Sequence, residues 1–463
     1  MMREAGTVVF ASLAMNQAAF YERVGGEMEK AGYRIVHVAF HERSCDWLGR
    51  LGCTVYNPYA MQPPDADALD LGDYGITDAA LLLSHEKAAY ELRDTTALMR
   101  KLKGHLFAMA RVFDEVAAIA HGAPIYLVQE LGGFTSVLAG YYSARVRRID
   151  SYFLEPSFFK GRVFMTRNRL AAPEISRGAQ TQVREEVRGY LARALAEQSV
   201  VIPKKDAHHY RNAARKIADR RNASRLVQKA WDKYVLGKRE EFEHVAGHVG
   251  RHVRMFLNNL RLRRSYRSLE SVGRCVYYPL HVPADFALTI RAPEYLDQCA
   301  LIDYLCRVVP HTHAVLVKEH PALIGAVPHW RLRDLLDRHD NLVLLHPGIN
   351  NYQVLGKTDA IVTVNSKSGA EALLLGKPVL ALGDSFYRTS PHVTRVDALA
   401  DLPCALRSAI DRPARVDSSD IAAYFQEVWD SSYAGELYEA SEPNVTAFAL
   451  SLEVALTRAP ASA

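Results

Sequence analysis

Apolar positions in the first forty residues fall into two short continuous runs separated by a helically spaced stretch. Thr7–Met15 is an apolar run of strand length. Gln17–Ala31 places Phe20, Val24 and Met28 at helical spacing and stops at Gly32, and Tyr33–Phe40 is a second run with β-branched residues. Strand, helix and strand in that order predict a β-α-β unit and a parallel sheet. Further on, Glu86–Ala120 carries the pattern of one long helix. Pro124–Gln129 reads as a buried strand with a Glu-Leu-Gly-Gly turn behind it, and Val183–Glu197 as a helix. Asp206–Ser268 lacks strand signals and reads as two or three basic helices with little apolar content. The alternation then resumes. Strands are predicted over Val276–Leu280, Ala314–Lys318, Leu342–Leu345, Ala360–Val364 and Pro378–Leu382. Between them lie helices over Glu294–Val309, Trp330–Arg338, Asn351–Lys357 and Ser368–Leu375, the last stopping at Gly376.

Two alternating halves around a connector predict an α/β protein of GT-B-like architecture. Two Rossmann-like domains with parallel sheets would face a central cleft, with a basic helical insertion between them. The expected boundaries are 1–195 for the first domain, 196–269 for the connector, 270–415 for the second domain and 416–463 for C-terminal helices and a tail. A length of 463 residues suits two or three domains. A composition 49% hydrophobic and 24% charged predicts a folded chain.

The formal net charge of +5 conceals its distribution. Lys204–Arg267 holds 18 Lys/Arg against 6 Asp/Glu, so the rest of the chain is net acidic. No apolar run approaches the ~18–20 residues that span a bilayer. The apolar stretch ending at Asn16-Gln17 is short for a signal peptide and reads as a first strand. The six cysteines form no C-x-x-C pair and no zinc spacing, the pattern of reduced thiols in a cytosolic protein.

In doubly wound sheets, ligands bind beyond the carboxyl ends of the strands. His281 and Asp285 follow the first strand of the second half, Lys318-Glu319-His320-Pro321 close the next, and Asn365-Ser366-Lys367-Ser368-Gly369 follow Ala360–Val364. Gln17 and Glu130 hold equivalent positions in the first half. Asn365–Glu371 opens a helix with two hydroxyls and a glycine, a combination that favours an anion at the unsatisfied backbone N–H groups. Ser366 and Ser368 would donate to a phosphate, Gly369 would allow close approach, and Glu371 would accept from a sugar hydroxyl. The plain alternative is a serine N-cap worth about 1 kcal/mol. Pro321 fixes the backbone after His320, so that imidazole is aimed to bind or protonate a phosphate oxygen; alternatively it sits in an ordinary strand-end turn.

Other signals carry less. Gly356-Lys357-Thr358 ends like a P-loop, but position 351, where the motif needs glycine, is Asn351. His244, His248 and His252 recur every four residues without a matching carboxylate, which favours a solvated helix face over a metal stripe. No metal site is expected.

Taken in order, Pro279-Leu280-His281 with Asp285, Val317-Lys318-Glu319-His320-Pro321, the stretch Val362–Val379 and Gly383-Asp384-Ser385-Phe386-Tyr387 resemble the capsule polysaccharide biosynthesis family, the retaining β-Kdo glycosyltransferases of capsular polysaccharide synthesis and export. Kdo is 3-deoxy-D-manno-oct-2-ulosonic acid. The resemblance is dense over Val276–Tyr387 and looser over the first 170 residues; His281 departs from it, since a glutamine is more usual there.

The resemblance implies an enzyme that transfers Kdo with retention, in β-linkage, from CMP-Kdo to a capsule or surface glycan or glycolipid. No cofactor beyond the donor is implied. The first domain would take the acceptor, lipid-linked or polysaccharide, and the second the CMP-sugar. Lys318, His320, Pro321, Asn365, Ser366, Ser368, Gly369 and Glu371 would form the donor site, with Lys318 beside the donor carboxylate. Asp285 would be the nucleophile of a covalent glycosyl-enzyme, or else an aspartate capping a turn. Glu130, with Glu155 as second choice, would deprotonate the acceptor. The connector at 204–267 would be a solvated face or would meet an anionic membrane surface, placing a cytoplasmic protein peripherally on the inner membrane; sparse aromatics and the lack of an RNA-binding motif argue against nucleic acid. Two alternatives remain: the same fold with another activated sugar, a CMP-nonulosonate or nucleoside-diphosphate sugar, and a non-catalytic capsule assembly protein.

Overall fold

The computed structural model describes residues 5–63, 65–92, 94–176, 182–198, 220–242, 245–413 and 416–458. Two sheets carry the architecture. The first runs β3-β2-β1-β4-β5-β6-β13, from β1 (Gly6–Ser12), β2 (Tyr33–Ala39), β3 (Val55–Tyr56), β4 (Ile125–Glu130), β5 (Asp150–Pro156), β6 (Arg162–Arg167) and β13 (Tyr433–Ala434). Its five leading strands are parallel, and β6 and β13 extend the edge antiparallel. The second sheet is parallel throughout and runs β9-β8-β7-β10-β11-β12. Its strands are β7 (Cys275–Pro279), β8 (Ala314–Lys318), β9 (Leu342–Leu345), β10 (Ala360–Thr363), β11 (Val379–Ala381) and β12 (Val393–Arg395). Both sheets therefore share the order 3-2-1-4-5, which reverses direction between the first and fourth strands. That reversal opens a crevice at β1/β4 and another at β7/β10. The expected α/β class with two Rossmann-like units is what the chain adopts.

The strands are buried on both faces, as their unbroken apolar runs require; β1 and β7 have no exposed residue. One long predicted helix differs from the structure. The helix expected over Glu86–Ala120 is two helices, Ala79–Tyr90 and Thr95–Ala120. Glu91 turns left-handed at φ 54°, and the Asp94 side chain accepts from the N–H groups of Thr96 and Ala97 to start the second helix. The antiparallel edge β6 and its partner β13 gave no readable pattern.

The C-terminal residues cross back between domains. Helix Ser418–Asp430 packs on the second-domain core through Ile421, Phe425 and Val428. Helix Glu442–Thr457 covers the first sheet with Val445, Phe448 and Leu452, and Phe448 meets Phe20 edge-on at 5.1 Å.

The connector holds two helices, Arg220–Tyr234 and Val245–Leu262; residues 199–219 and 243–244, and hence His244, lie outside the described residues. It docks on both domains. Glu241 N–H donates to Phe40 O at 3.0 Å, and the Glu241 carboxylate is buried against Lys101 Nζ at 2.8 Å, which also meets Glu86 at 2.8 Å. On the other side Asn258 donates to Gly325 O at 3.0 Å, and a Cβ on Gly325 would stand 2.1 Å from Met255 O.

Candidate functional site

The β7/β10 crevice gathers most of the candidate donor residues. The Asn365 backbone N–H donates to His281 Nε2 at 3.2 Å, and the Asn365 side chain donates to Ala287 O. His281 is itself held by Gln298, which accepts from the His281 N–H at 2.7 Å and donates to its carbonyl at 3.1 Å. His281 thus has a structural use: the imidazole joins the ends of the two switch-point strands.

Ser366 is the N-cap of helix Lys367–Leu374. Its Oγ accepts from the Ser368 N–H at 3.2 Å, and Ser368 Oγ accepts from Asn351 at 3.0 Å. The capped-helix alternative is therefore realised. Both hydroxyls accept in these bonds and keep their O–H to donate, so the cap leaves the anion-binding chemistry in place.

Gly369 has a different cause from the one expected. A Cβ there would lie 2.5 Å from Cζ and Oη of the buried Tyr387 ring, whose hydroxyl donates to Ser366 O at 2.6 Å. The glycine makes room for the tyrosine that pins the N-cap.

Lys318 and Glu371 lie deeper than a donor contact suggests. Both are buried; Lys318 Nζ donates to Ile349 O at 3.2 Å, and Asn351 donates to Glu371. Burial pushes the Glu371 carboxyl up to about 7 and the Lys318 ammonium down to about 8.

His320 stands at its rim. Glu319, buried behind it, accepts from Tyr266 Oη at 2.8 Å and from Gly325 N–H at 2.9 Å, which fixes the turn. His320 Nδ1 accepts from the Ala322 N–H at 3.2 Å, which leaves the ring proton on Nε2. Pro321 holds the next backbone position. A small hollow lined by His281, Pro283, His320 and Leu323 adjoins the two rings.

Asp285 is exposed and caps the short helix Phe286–Thr289, its Oδ1 accepting from the Ala287 N–H at 3.0 Å. The capping alternative is thus realised here too. Its charge also acts on three imidazoles, His281 and His320 of the second domain and His85 of the first. Burial pushes all three down to about 4 against that pull. At neutral pH they are uncharged, so His320 serves as an Nε2–H donor rather than as an imidazolium.

The first domain contributes Glu130 at the end of β4. Gln17 donates to its Oε2 at 2.8 Å while accepting from the Leu13 N–H at 2.6 Å, and Tyr438, from the returning C-terminal segment, donates to the same oxygen at 2.5 Å. Three residues on, Gly133 packs against His85, where a Cβ would stand 2.5 Å from the His85 side chain; His85 Nδ1 lies 2.9 Å from Thr289 Oγ1. His85 thus links the Glu130 loop to the Asp285 helix.

Glu155 is engaged elsewhere. It forms a two-toothed ion pair with Arg291 at 2.9 and 3.1 Å, and Arg291 also donates to Leu170 O and Ala171 O at 2.8 and 3.0 Å. This clamp ties the domains together and leaves Glu130 as the carboxylate at the first-domain switch point. Sequence reasoning passed over His85, Gln298, Arg291 and Tyr438, and met Asn351 only as the position that breaks a P-loop pattern; none of the five belongs to a strand-end motif. Among the described residues, no group of three or more His, Cys, Asp or Glu side chains is placed to hold a metal.

Two Rossmann-like units with polar strand ends at both switch points define a protein of GT-B type. Residues 185–409 match the model of a family described as capsule polysaccharide biosynthesis protein. The protein FixF of Sinorhizobium fredii is 28% identical over 156 residues, 32% of this chain and 36% of FixF, so the match spans about a third of that relative. Among solved structures, KpsC of Thermosulfurimonas dismutans, titled a beta Kdo 2,7 transferase, is 15% identical over 74% of this chain and 89% of its own, with a TM-score of 0.33. The beta Kdo 2,4 transferase of the same KpsC is 14% identical over 65% and 79%, with a TM-score of 0.30. No described helix is long and apolar enough to cross a membrane.

Proposed function

We propose that the chain is a glycosyltransferase of capsule synthesis that moves Kdo with retention from CMP-Kdo to a glycan or glycolipid acceptor. One observation carries the reading: an exposed carboxylate, Asp285, stands beside a crevice with the Ser366 and Ser368 hydroxyls at a helix N-terminus and the Nε2–H of His320 at its rim. The helix end and hydroxyls suit the CMP phosphate, and His320 donates to the oxygen on which negative charge grows. Asp285 attacks the anomeric carbon as the bond to the phosphate oxygen breaks, and the electron pair leaves with CMP. The acceptor hydroxyl then displaces Asp285 from the glycosyl-enzyme, and Glu130 takes its proton. Two inversions give net retention.

The test is a thermal-shift series with CMP, UDP and GDP, followed by CMP release from CMP-Kdo. Saturation at ~100 times Kd should raise stability by about 2.7 kcal/mol for the cognate nucleotide. CMP alone should stabilise the protein, and His320→Ala should abolish the shift. Stabilisation by UDP or GDP in place of CMP would redirect the reading to another activated sugar. No response to any of the three would sink it.

A further inference from the structure

From Arg251 onward, helix Val245–Leu262 divides sharply into two faces. Met255 and Leu262 are buried toward the second domain, together with the Asn258 bond to Gly325. Opposite them Val253, Phe256, Leu257 and Leu260 are 40–53% exposed. At 100° per residue these four occupy an arc of about 100°, the width of a buried helical stripe. Nothing among the described residues covers it. The neighbouring connector residues Val227 to Leu236 add five more exposed large apolar side chains. Nine of the sixteen such side chains in the described structure thus lie in this one segment, a concentration that scattered surface residues do not produce.

The same segment carries the chain's positive charge, 18 Lys/Arg against 6 Asp/Glu over 204–267, and Arg261, Arg263 and Arg264 stand exposed at the end of the apolar ridge. Apolar ridge and basic flank together match a helix lying in the plane of a bilayer interface, with aromatic and aliphatic groups inserted and arginines at the headgroups. A second copy of this chain would bring the same positive charge against itself, whereas an anionic lipid surface complements it.

We propose that the exposed face of helix Val245–Leu262 docks the protein on an anionic membrane surface. The inference is independent of the sugar donor. It is tested by co-sedimentation of the full chain with phosphatidylcholine vesicles, with and without about 30% phosphatidylglycerol, at low and high salt. Wild type should partition to the anionic vesicles and be released by salt. Phe256→Asp with Leu260→Asp should lower partition about tenfold or more at an unchanged melting temperature. Arg263→Glu with Arg264→Glu, which leaves the ridge intact, should weaken binding to anionic vesicles only. Absence of wild-type binding, or binding unchanged in both double variants, overturns the proposal. So does a wild-type dimer in light scattering that Phe256→Asp with Leu260→Asp converts to monomer, since the ridge would then be covered by a second copy.

Discussion

Gly369→Ala separates two causes for one glycine. If the position serves only ligand approach, a methyl costs nucleotide affinity and little stability. The geometry assigns it to Tyr387: the new carbon would stand 2.5 Å from the ring, where contact distances are ~3.5–4.0 Å. The ring is fully buried and Gly369 lies in a helix, so neither gives way cheaply. Overpacking of this kind costs ~1–3 kcal/mol, and loss of the bond from Tyr387 to Ser366 O adds ~1, giving about 2–4 kcal/mol in all. Urea unfolding of wild type, Gly369→Ala, Tyr387→Leu and the double variant measures it. Tyr387→Leu alone should cost ~2–4 kcal/mol through the cavity it leaves. The double variant should then be no less stable than Tyr387→Leu, a coupling of about 2–4 kcal/mol. Additive losses would refute the reasoning. So would a Gly369→Ala protein of full stability that fails to bind CMP, which would return the glycine to the ligand.

Three further outcomes follow from the site. Arg291→Met leaves Glu155 without its partner and should lower stability by about 3 kcal/mol, and the double-mutant cycle with Glu155→Gln should show coupling above ~1 kcal/mol in urea unfolding. The Glu371 carboxyl, raised by burial from 4.5 to about 7, holds its proton longer in the folded chain than in the unfolded one. Its contribution is therefore present at low pH and lost as pH rises through 7, and Glu371→Gln should flatten the difference in urea midpoint between about pH 5 and about pH 8. Tyr438→Phe removes a donor from Glu130 while keeping the ring, so kcat on CMP-Kdo and acceptor should fall about tenfold or more with the CMP thermal shift unchanged.

The repeated strand-helix alternation made β1, β2 and β4 of the first sheet and β7 to β11 of the second legible, because strands buried on two faces leave unbroken apolar runs; β3, β5 and β12 were not read. The positions after those strands were legible for the same reason: topology alone dictates that His281, His320 and Ser366 share an edge. What escaped notice depends on contacts between distant segments. Tyr438 reaches Glu130 across 308 positions and Arg291 reaches Glu155 across 136, and neither tyrosine nor arginine carries a local pattern. The long helix was misjudged because a left-handed Glu91 and the Asp94 cap interrupt it, rather than glycine or proline. Gly369 was assigned to a ligand because its true neighbour, Tyr387, lies eighteen positions on, and sequence spacing gives no hint of that contact.

The returning C-terminal segment bears on the order in which the protein can be made. The first sheet's outer strand, the helix over its face and the hydroxyl on Glu130 all come from residues 433–457. Domains generally fold as they leave the ribosome, at ~5–20 residues per second. Here the first domain must wait for the second to be translated before its core closes and its carboxylate acquires its last partner. The first domain is thus the last part of the molecule to become competent, and a premature stop near position 430 would disarm the opposite end of the chain.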